Sequence, residues 1–460
     1  MQQKFPAVLK LTKVLPLHKK DSKLERKNYR PVAIISPFSK VLEKIVYEQL
    51  YNYFTRNNLF HPNLHGYRKH RSTQTALIQM YDRWVRAADK GQVNGVVLLD
   101  LSAAFDLVDF TLLCQKLRVY KVSEDLISWI ESYLTDRYQA VWIDHVLSDF
   151  LQVEVGVPQG SNLGPLLFLI FFNDLLFTVK CEADSYADDT TLSATAPSTK
   201  EIGDLLTEDC QRVENWMKSN KLKLNPDKTH ILTMGTAKRL SSLKENINVT
   251  MGGETLKEDK SKSEILLGCK IEANMKWHQQ VNFVKSKLKK RLGALSRLKF
   301  CLPIHSAKII AEGIFNSILI YCLPLYGGCD IGEIKDLQIL QNKAAQIVTN
   351  SPPRSHRSEM YKQLNWLTVN QLIFYHTMIA VYNTRKFKEP EYLSEILNND
   401  NRNGRISTPR IKLVLTEKSF THRGSVEWNS LPDNIRSLEK IGEFKKNLRN
   451  WIQQNVVQFF

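Results

Sequence analysis

Two adjacent aspartates, Asp188 and Asp189, stand in the segment SYADDTTL, whose other residues favour β-strands. Adjacent carboxylates repel each other, and neighbouring residues on a strand point to opposite faces, so the pair requires an explanation. A hairpin turn is one explanation, because aspartate tolerates unusual backbone angles there. The other is a site that uses carboxylates for chemistry, and a third acid, Asp100, bears on the choice.

Asp100 ends the apolar run of the segment GVVLLDLSAAFD. Such a run is typical of a strand buried on both faces, where a charge is costly unless it is paired. If this strand lies beside the YADD hairpin, three carboxylates meet, and raised pKa values or bound cations must relieve their repulsion. Oxygen ligands without His or Cys select Mg²⁺ or Mn²⁺. Two such ions about 4 Å apart could activate a hydroxyl and stabilise a leaving phosphate, as in a nucleic-acid polymerase.

The charge of the chain points in the same direction. Sixty-four Lys and Arg against 47 Asp and Glu give a net charge of +17, which indicates a polyanionic partner. Nucleic acid is favoured over a membrane because no single amphipathic segment holds the excess charge. Solubilising charge alone is the alternative.

Other classes of protein are disfavoured by composition. The seven cysteines are scattered without paired His or Cys, so neither a zinc site nor a disulfide framework is expected. The longest apolar run, PLLFLIFF at 165–172, is shorter than the roughly 18 residues that span a bilayer. The N-terminal residues lack a signal-peptide core. These features predict a protein of the nucleus or cytoplasm that is neither secreted nor bound to a membrane.

The order of strands and helices predicts a mixed α and β core up to about residue 275 and helices beyond it. Breaks in the helical pattern at 350–355 and 398–405 predict a boundary near 352 and a short basic tail. Apolar periodicity predicts helices over the following ranges: 38–54, 121–135, 165–177, 199–219 and 277–299.

Seven segments, in order, resemble the successive motifs of a reverse transcriptase, and most closely the jockey-like branch of the non-LTR (LINE-type) retrotransposons. They are NYRPVAIIS (28–36), HGYRKHRST (65–73), LLDLSAAFDLVD (98–109), GVPQGSNLGPLLF (156–168), YADD (186–189), LKLNPDKT (222–229) and LLGCKIEANMKW (266–277). The resemblance implies an α+β right-hand polymerase with a C-terminal helical region. Its parts are fingers with N-terminal palm elements (1–95), a palm with the catalytic motifs (96–275), a helical thumb (276–351) and a region of unassigned function (352–460).

Catalytic roles follow from the resemblance, residue by residue. Asp100, Asp188 and, less strictly, Asp189 would hold two Mg²⁺ or Mn²⁺ ions, with help from the backbone carbonyl of Leu101. Lys228 matches the lysine proposed to donate a proton to departing pyrophosphate. Asp184 lies outside the motif and is expected to be a loop acid.

Substrate contacts are implied in the same way. Phe105 matches the aromatic gate under the sugar of the incoming nucleotide, with a core aromatic as the alternative. Gln159 matches the residue that lies against nucleotide and template. Arg68 and Arg71 resemble the arginines that grip the triphosphate, since a guanidinium suits phosphate oxygens. Arg30 is a weaker candidate for that work, and a structural salt bridge is its alternative.

The primer is expected to contact two further segments. By resemblance, Leu267, Gly268 and Trp277 fall in the segment that supports the primer end. The helix over 277–299 has an apolar stripe, and the opposite face carries Lys and Arg. Lys285, Lys289 and Arg291 on that face are expected to follow the backbone of the nucleic-acid duplex.

The sequence therefore predicts an RNA-directed DNA polymerase that uses an RNA template, a DNA primer and deoxynucleoside triphosphates. A catalytically silent RNA-binding relic, or a host-adopted fragment of such an element, is the alternative from another class. An RNA-templated RNA polymerase is disfavoured by Phe105. Because no endonuclease motif is visible, another chain is expected to supply nicking, and a truncated copy or partial gene stays open.

Overall fold

The computed structural model describes residues 4–455 except 20, 103, 226, 227, 257, 259–261, 300, 401–404 and 409. Its strands are β1 (Leu11–His18), β2 (Tyr29–Ile34), β3 (Val93–Leu99), β4 (Leu101–Ser102), β5 (Arg137–Ile143), β6 (Val146–Leu147), β7 (Leu151–Val153), β8 (Glu182–Tyr186), β9 (Asp189–Ala196), β10 (Lys223–Leu224), β11 (His230–Met234), β12 (Thr250–Met251), β13 (Glu254–Thr255), β14 (Ser263–Leu266) and β15 (Cys269–Glu272).

The α-helices up to residue 298 are α1 (Pro37–Arg56), α2 (Thr73–Asp89), α3 (Phe110–Val119), α4 (Glu124–Leu134), α5 (Gly164–Phe172), α6 (Leu175–Thr178), α7 (Thr199–Ser219), α8 (Ala237–Ser241) and α9 (His278–Leu298). Those that follow are α10 (Ile304–Ala311), α11 (Ser317–Ile320), α12 (Leu323–Tyr326), α13 (Ile331–Val348), α14 (Arg357–Leu364), α15 (Val369–Phe387), α16 (Glu391–Leu397), α17 (Val414–Glu417), α18 (Phe420–Ser430), α19 (Asp433–Arg436) and α20 (Ile441–Gln454). The mixed composition before residue 275 and the helices after it confirm the predicted order of elements.

A four-stranded antiparallel sheet in the order β11-β3-β9-β8 positions the predicted carboxylates. Strand β3 is one of its two inner strands, and Val96 and Val97 are both buried because helices cover both faces. Gly95 lets α7 approach one face, since a Cβ there would lie 2.4 Å from Ile202. Helix α2 covers the opposite face together with residues of the C-terminal half.

A second sheet has the order β2-β1-β5-β6 with β7 beside β5, and Arg137 of β5 donates to the Tyr133 carbonyl of α4 at 3.1 Å. Strands β1 and β5 are parallel, whereas β1 and β2 are antiparallel. The single helix predicted over 121–135 is wrong at its start. Lys121, with a φ of +58°, lies in the turn between α3 and α4.

The helices α13 to α20, called here the C-terminal helices, share one hydrophobic core with α2, α9 and the β14–β15 hairpin. The predicted short basic tail is wrong, because the apolar residues beyond 405 are buried in this core. They are Ile406, Phe420, Trp428, Leu431, Ile435, Phe444, Leu448 and Ile452. The boundary predicted near residue 352 thus falls inside a continuous core. Within the described ranges, no helix is both long and apolar enough to cross a membrane.

Candidate active site

The YADD turn joins β8 to β9, and Tyr186 pairs with Asp189 across it. Asp188 lies at the tip, next to Ala187, whose φ is +60°. Gly66 packs against this tip so closely that a Cβ on it would lie 2.5 Å from the Ala187 nitrogen. The YADD segment therefore forms a turn, and the segment around Gly66 packs against it.

Asp100 reaches the same edge of the sheet through strand register. Leu99, the last residue of β3, pairs with Thr190 on β9, so Asp100 follows beside Asp189. Burial, and then the negative charges of Asp188 and Asp100, raise the pKa of Asp189 to about 6. Asp189 keeps exposure to solvent, which screens part of that repulsion. The predicted convergence of three carboxylates is present.

A short pairing of β10 with β4 brings Lys228 to this edge. Leu224 lies opposite Leu101, and the Asn225 N–H donates to the Asp100 carbonyl at 3.0 Å. Lys228 Nζ then lies 3.3 Å from Asp100 Oδ2, with a side chain that is 62% exposed. The long, exposed side chain of Lys228 thus contacts Asp100, one of the three acids.

The donor set fits a hard divalent cation in its chemistry. Asp100, Asp188 and Asp189 offer carboxylate oxygens, and burial together with their mutual repulsion raises the pKa of Asp189. Across the part of the chain that the structure describes, no three His, Cys, Asp or Glu side chains are oriented to hold one ion together. An ion would have to compete with Lys228 for Asp100.

Phe105 stands on the 3₁₀ turn Ala104–Leu107, immediately after the Asp100 strand. Its ring stacks on Phe168 of α5, with centroids 4.1 Å apart and planes at 19°. The edge of Tyr67 approaches it at 6.1 Å. Burial and then the charge of Asp188 raise the pKa of Tyr67, which links this aromatic group to the carboxylates.

Gln159 is held in a loop that requires glycine on both sides. Gly156 and Gly160 have φ of +92° and +120°, and a Cβ on Gly160 would lie 2.6 Å from the Ala33 carbonyl. Gln159 Nε2 donates to Asp106 Oδ1 at 2.7 Å, and both side chains line a cavity of about 420 Å³. Burial raises the pKa of Asp106, and the hydrogen bond from the Gln159 amide opposes this rise.

Arg68 and Arg71 are engaged by a carboxylate from the far end of the chain. Glu389, before α16, lies 3.3 Å from Arg68 Nη2 and accepts from Arg71 Nε at 2.7 Å. The Arg71 side chain is 1% exposed, and burial is the main reason that its pKa is lowered to about 10. Both guanidinium groups also donate to backbone carbonyls of residues 61–64. Triphosphate binding by this pair would require the ion pairs with Glu389 to open.

The family model described as reverse transcriptase (RNA-dependent DNA polymerase) matches residues 17–284. That range covers every residue described so far in this site except Glu389. The chain belongs to the reverse transcriptase family.

Relatives of this reverse transcriptase chain include transposon proteins. It is 26% identical over 387 residues to the probable RNA-directed DNA polymerase from transposon BS of Drosophila melanogaster, over 82% of this chain and 42% of that protein. It is 22% identical over 361 residues to the RNA-directed DNA polymerase from mobile element jockey of the same species, over 76% and 38%. The chain thus spans less than half the length of these relatives. Apo telomerase from Candida tropicalis aligns with 97% of this chain and 69% of its own, at 10% identity and a TM-score of 0.47.

In the reverse transcriptase chain, the turn between β14 and β15 contains Leu267 and Gly268, with φ of +47° and +78°. Tyr321 braces this turn, because its hydroxyl contacts the Leu267 carbonyl and lies 3.1 Å from Thr73 Oγ1. Trp277, by contrast, is buried with its ring 4.6 Å from that of Tyr81. Its side chain therefore supports this hairpin from within the core and does not face a primer.

Helix α9 buries five residues of its predicted stripe and part of the sixth, Leu298; the five are Val281, Val284, Leu288, Leu292 and Leu295. Lys289 and Arg291 are exposed, as the periodicity predicts. Lys285 is not free, because its Nζ lies 2.6 Å from Asp336 Oδ2 on α13. Lys290 is also exposed, and it lies between Lys289 and Arg291 on the side of the helix that faces solvent.

Sequence reasoning missed the role of Asp184 in this reverse transcriptase site. The interpretation of Asp184 as a loop acid is wrong: it lies within β8, is 2% exposed, and binds His65 at 3.3 Å and Arg83. Burial opposes its ionisation, but Arg83 and His65 hold the pKa of Asp184 below its usual range. This cluster ties α2 and the segment before Gly66 to the catalytic hairpin.

Arg30 is the remaining arginine that the resemblance suggests for the triphosphate. It is exposed, and its charge reaches Tyr67 beside Asp188. No ion pair among the described residues includes Arg30, so it is free to meet an anion at the carboxylate edge.

Proposed function

We propose that this chain is an RNA-templated DNA polymerase that adds deoxynucleotides to a DNA primer by two-metal phosphoryl transfer. The observation that carries the proposal is the shared sheet edge of Asp100, Asp188 and Asp189, where burial and then the charges of Asp188 and Asp100 raise the pKa of Asp189. Carboxylates are placed in this way where a cation relieves their charge. Membership of the reverse transcriptase family gives that site its reaction.

Asp100, Asp188 and Asp189, with the backbone carbonyl of Leu101, would hold two Mg²⁺ or Mn²⁺ ions. Bound there, the ions would supply charge to activate the primer hydroxyl and to stabilise the leaving pyrophosphate. Lys228, 3.3 Å from Asp100, is positioned to give a proton to pyrophosphate oxygen, and its exposure lets it follow the product outward.

The incoming deoxynucleotide would lie between Phe105 and Gln159. The stack of Phe105 on Phe168 fixes the ring, so a ribose 2′-hydroxyl would be rejected by a wall that cannot easily move. Arg30 is the arginine best exposed for the triphosphate. Arg68 and Arg71 would serve it only after release from Glu389.

The finer architecture is proposed as fingers (1–95), palm (96–275) and thumb (276–351). The turn at Leu267 and Gly268, braced by Tyr321, would support the primer end. The exposed Lys289 and Arg291 of α9 would follow the RNA–DNA duplex. An endonuclease from another chain would supply the nick that primes synthesis.

Primer extension on poly(rA) with oligo(dT) and Mg²⁺ or Mn²⁺ tests the function. Asp188→Asn is expected to lower extension by on the order of 10³-fold or more while template–primer affinity stays nearly unchanged, because a metal ligand is lost and no phosphate contact is. Asp204→Asn, the same change at an exposed position on α7, is the matched control. Activity of Asp188→Asn within tenfold of wild type would contradict the assignment, and binding without extension by wild type would favour the silent relic.

A further inference from the structure

The C-terminal helices form an open cavity of about 770 Å³ whose lining includes none of the predicted polymerase residues. Its walls come from α15, α18, α19 and the segment between α19 and α20. The side chains that define its chemistry are Tyr382, Arg385, Lys386, Trp428 and Arg436. Nothing in the proposed polymerase function uses this part of the molecule.

Arg436 has incomplete hydrogen bonding in this cavity. Its side chain is only 7% exposed, and one guanidinium nitrogen pairs with Asp433 on the same helix turn. Its Nε and Nη1 are buried and have no hydrogen-bond partner among the residues that the structure describes. A buried donor without an acceptor destabilises a fold, so an acceptor from outside the chain would complete the set.

Arg385 shows what a structural arginine looks like in the same cavity. It makes two parallel hydrogen bonds to Asp400, at 2.7 and 3.0 Å. Its guanidinium also lies over the Trp428 ring, 5.3 Å from the centroid. Arg385 is thus held by Asp400 and Trp428, whereas two nitrogens of Arg436 have no such partner among the described residues.

Two further groups beside Arg436 also offer hydrogens. Trp428 Nε1 is buried and unpartnered within the described ranges. The exposed Lys386 ammonium donates one hydrogen bond to the Glu439 carbonyl and keeps two hydrogens free. The buried side-chain atoms of this cavity that lack a partner among the described residues are all N–H donors and call for an acceptor. The Glu439 carboxylate also lines the cavity, but it is exposed to solvent. Asp433 is 88% exposed, and solvent screens its charge.

We propose that this cavity binds a phosphate group of single-stranded nucleic acid through Arg436, Lys386 and Trp428 Nε1. A guanidinium fork matches phosphate oxygens, and phosphate accepts hydrogen bonds without donating any when ionised. The cavity volume lies within the range of small-ligand sites and admits one nucleotide. Tyr382 and Trp428 are only 4% and 3% exposed, so the cavity recognises the phosphate group and not the attached base. The site gives the strand a second anchor, away from the carboxylate edge.

Fluorescence anisotropy of the full chain with a labelled single-stranded oligoribonucleotide tests the site, with unlabelled template–primer duplex present at saturation to fill the polymerase cleft. Arg436→Gln is expected to weaken binding by about tenfold, and Arg436→Lys to recover part of it. Arg357→Gln, at an exposed arginine of α14 outside the cavity, is the matched control and is expected to bind like wild type.

A second readout locates the ligand. Crosslinks from a 4-thiouridine oligonucleotide are expected in the peptides that contain Tyr382 or Trp428, and to disappear in Arg436→Gln. Equal affinity of Arg436→Gln and wild type, without those crosslinks, would overturn the proposal. If Arg436→Gln melts at a lower temperature, Lys386→Gln at an exposed position replaces it and must weaken binding as well.

The source of the phosphate is decided by competition. Failure of an unlabelled nucleoside monophosphate to displace the oligonucleotide at equal phosphate concentration supports a nucleic-acid strand. Displacement at equal concentration would overturn the strand and leave a free mononucleotide as the ligand.

Discussion

Phe105 stacks one face of its ring on Phe168 and makes a T-shaped contact with the ring of Tyr67. A gate and a core aromatic make different demands on such a residue. A gate needs a rigid ring beside the sugar, whereas a core aromatic needs burial alone. Phe105 is only partly buried, so it retains a surface that a nucleotide can meet.

Phe105→Ala is therefore expected to raise incorporation of ribonucleotides relative to deoxyribonucleotides by at least about tenfold, equivalent to about 1.4 kcal/mol. The reason is that the 2′-hydroxyl no longer meets an apolar wall. Single-nucleotide extension with each sugar measures the ratio. Phe177→Ala, at a ring that is 61% exposed, is the control. Unchanged discrimination by an active, folded variant would remove Phe105 from the gate.

Changing Arg30 to Ala is expected to weaken substrate binding, whereas changing Arg71 to Ala is expected to reduce stability. Arg30→Ala should raise the KM for deoxynucleoside triphosphate by roughly tenfold and leave stability unchanged, because an exposed charge near Asp188 is lost. Arg71→Ala should lower the free energy of unfolding by about 3 kcal/mol, because Glu389 and several carbonyls lose a nearly buried partner. Steady-state kinetics and chemical denaturation of both variants measure these effects. A higher KM with unchanged stability for Arg71→Ala would restore the role that the resemblance implies.

Helices with one apolar stripe were the elements best predicted from the sequence. The range 199–219 coincides with α7, and the stripe of α9 is buried as expected, because a 3.6-residue period is a local property. The turn at Lys121 was missed, since a positive φ on a lysine leaves no sequence signal. The ion pair of Lys285 was also missed, because its partner Asp336 lies 51 residues away.

The same contrast holds in the candidate site. Asp100, Asp188 and Asp189 could be predicted to meet because strand register brings whole neighbouring segments together. The contacts of Arg71 could not, because Glu389 is 318 residues distant along the chain. Nothing local to either residue signals the other.

Helix α9 offers a test of its exposed cations. Joint neutralisation of Lys289, Lys290 and Arg291 to Gln should weaken template–primer binding and reduce its salt dependence by roughly 0.7–0.9 log units per lost phosphate contact. Affinity measured at several salt concentrations gives the slope. Lys285→Gln is the control, and the Asp336 ion pair predicts an unchanged slope for it. A slope unaffected by the triple change would make this face a solvated surface.

At the scale of the whole molecule, His376 links global stability to pH. Burial, and then the charges of Lys445 and Arg449 on α20, lower the pKa of His376 from 6.5 to about 4. The unfolded chain therefore takes up a proton between pH 6.5 and 4 that the folded chain refuses. The free energy of unfolding therefore decreases as pH falls through this window, by at most about 1.4 kcal/mol per pH unit.

His376→Gln is expected to flatten this acid loss of stability, because the variant has no imidazole to protonate. Chemical denaturation at pH 7 and pH 5 measures it, with His305→Gln at an exposed histidine as the control. The difference between variants is the informative quantity, since burial raises the pKa of Glu427 to about 7, and its stabilising effect is lost as pH rises. Equal pH dependence of the two variants would contradict the role of His376.

The core shared by α2, α9 and the C-terminal helices has a genetic consequence. A nonsense or frameshift mutation downstream of the YADD codons would spare Asp100, Asp188 and Asp189 and still strip Phe444, Leu448 and Ile452 from that core. Such alleles would encode a chain with exposed apolar surface on α15, where Tyr382 stacks on Phe444 in the intact chain with ring centroids 4.3 Å apart. Reading-frame integrity up to the last helix is thus as necessary for this gene as the integrity of its YADD codons.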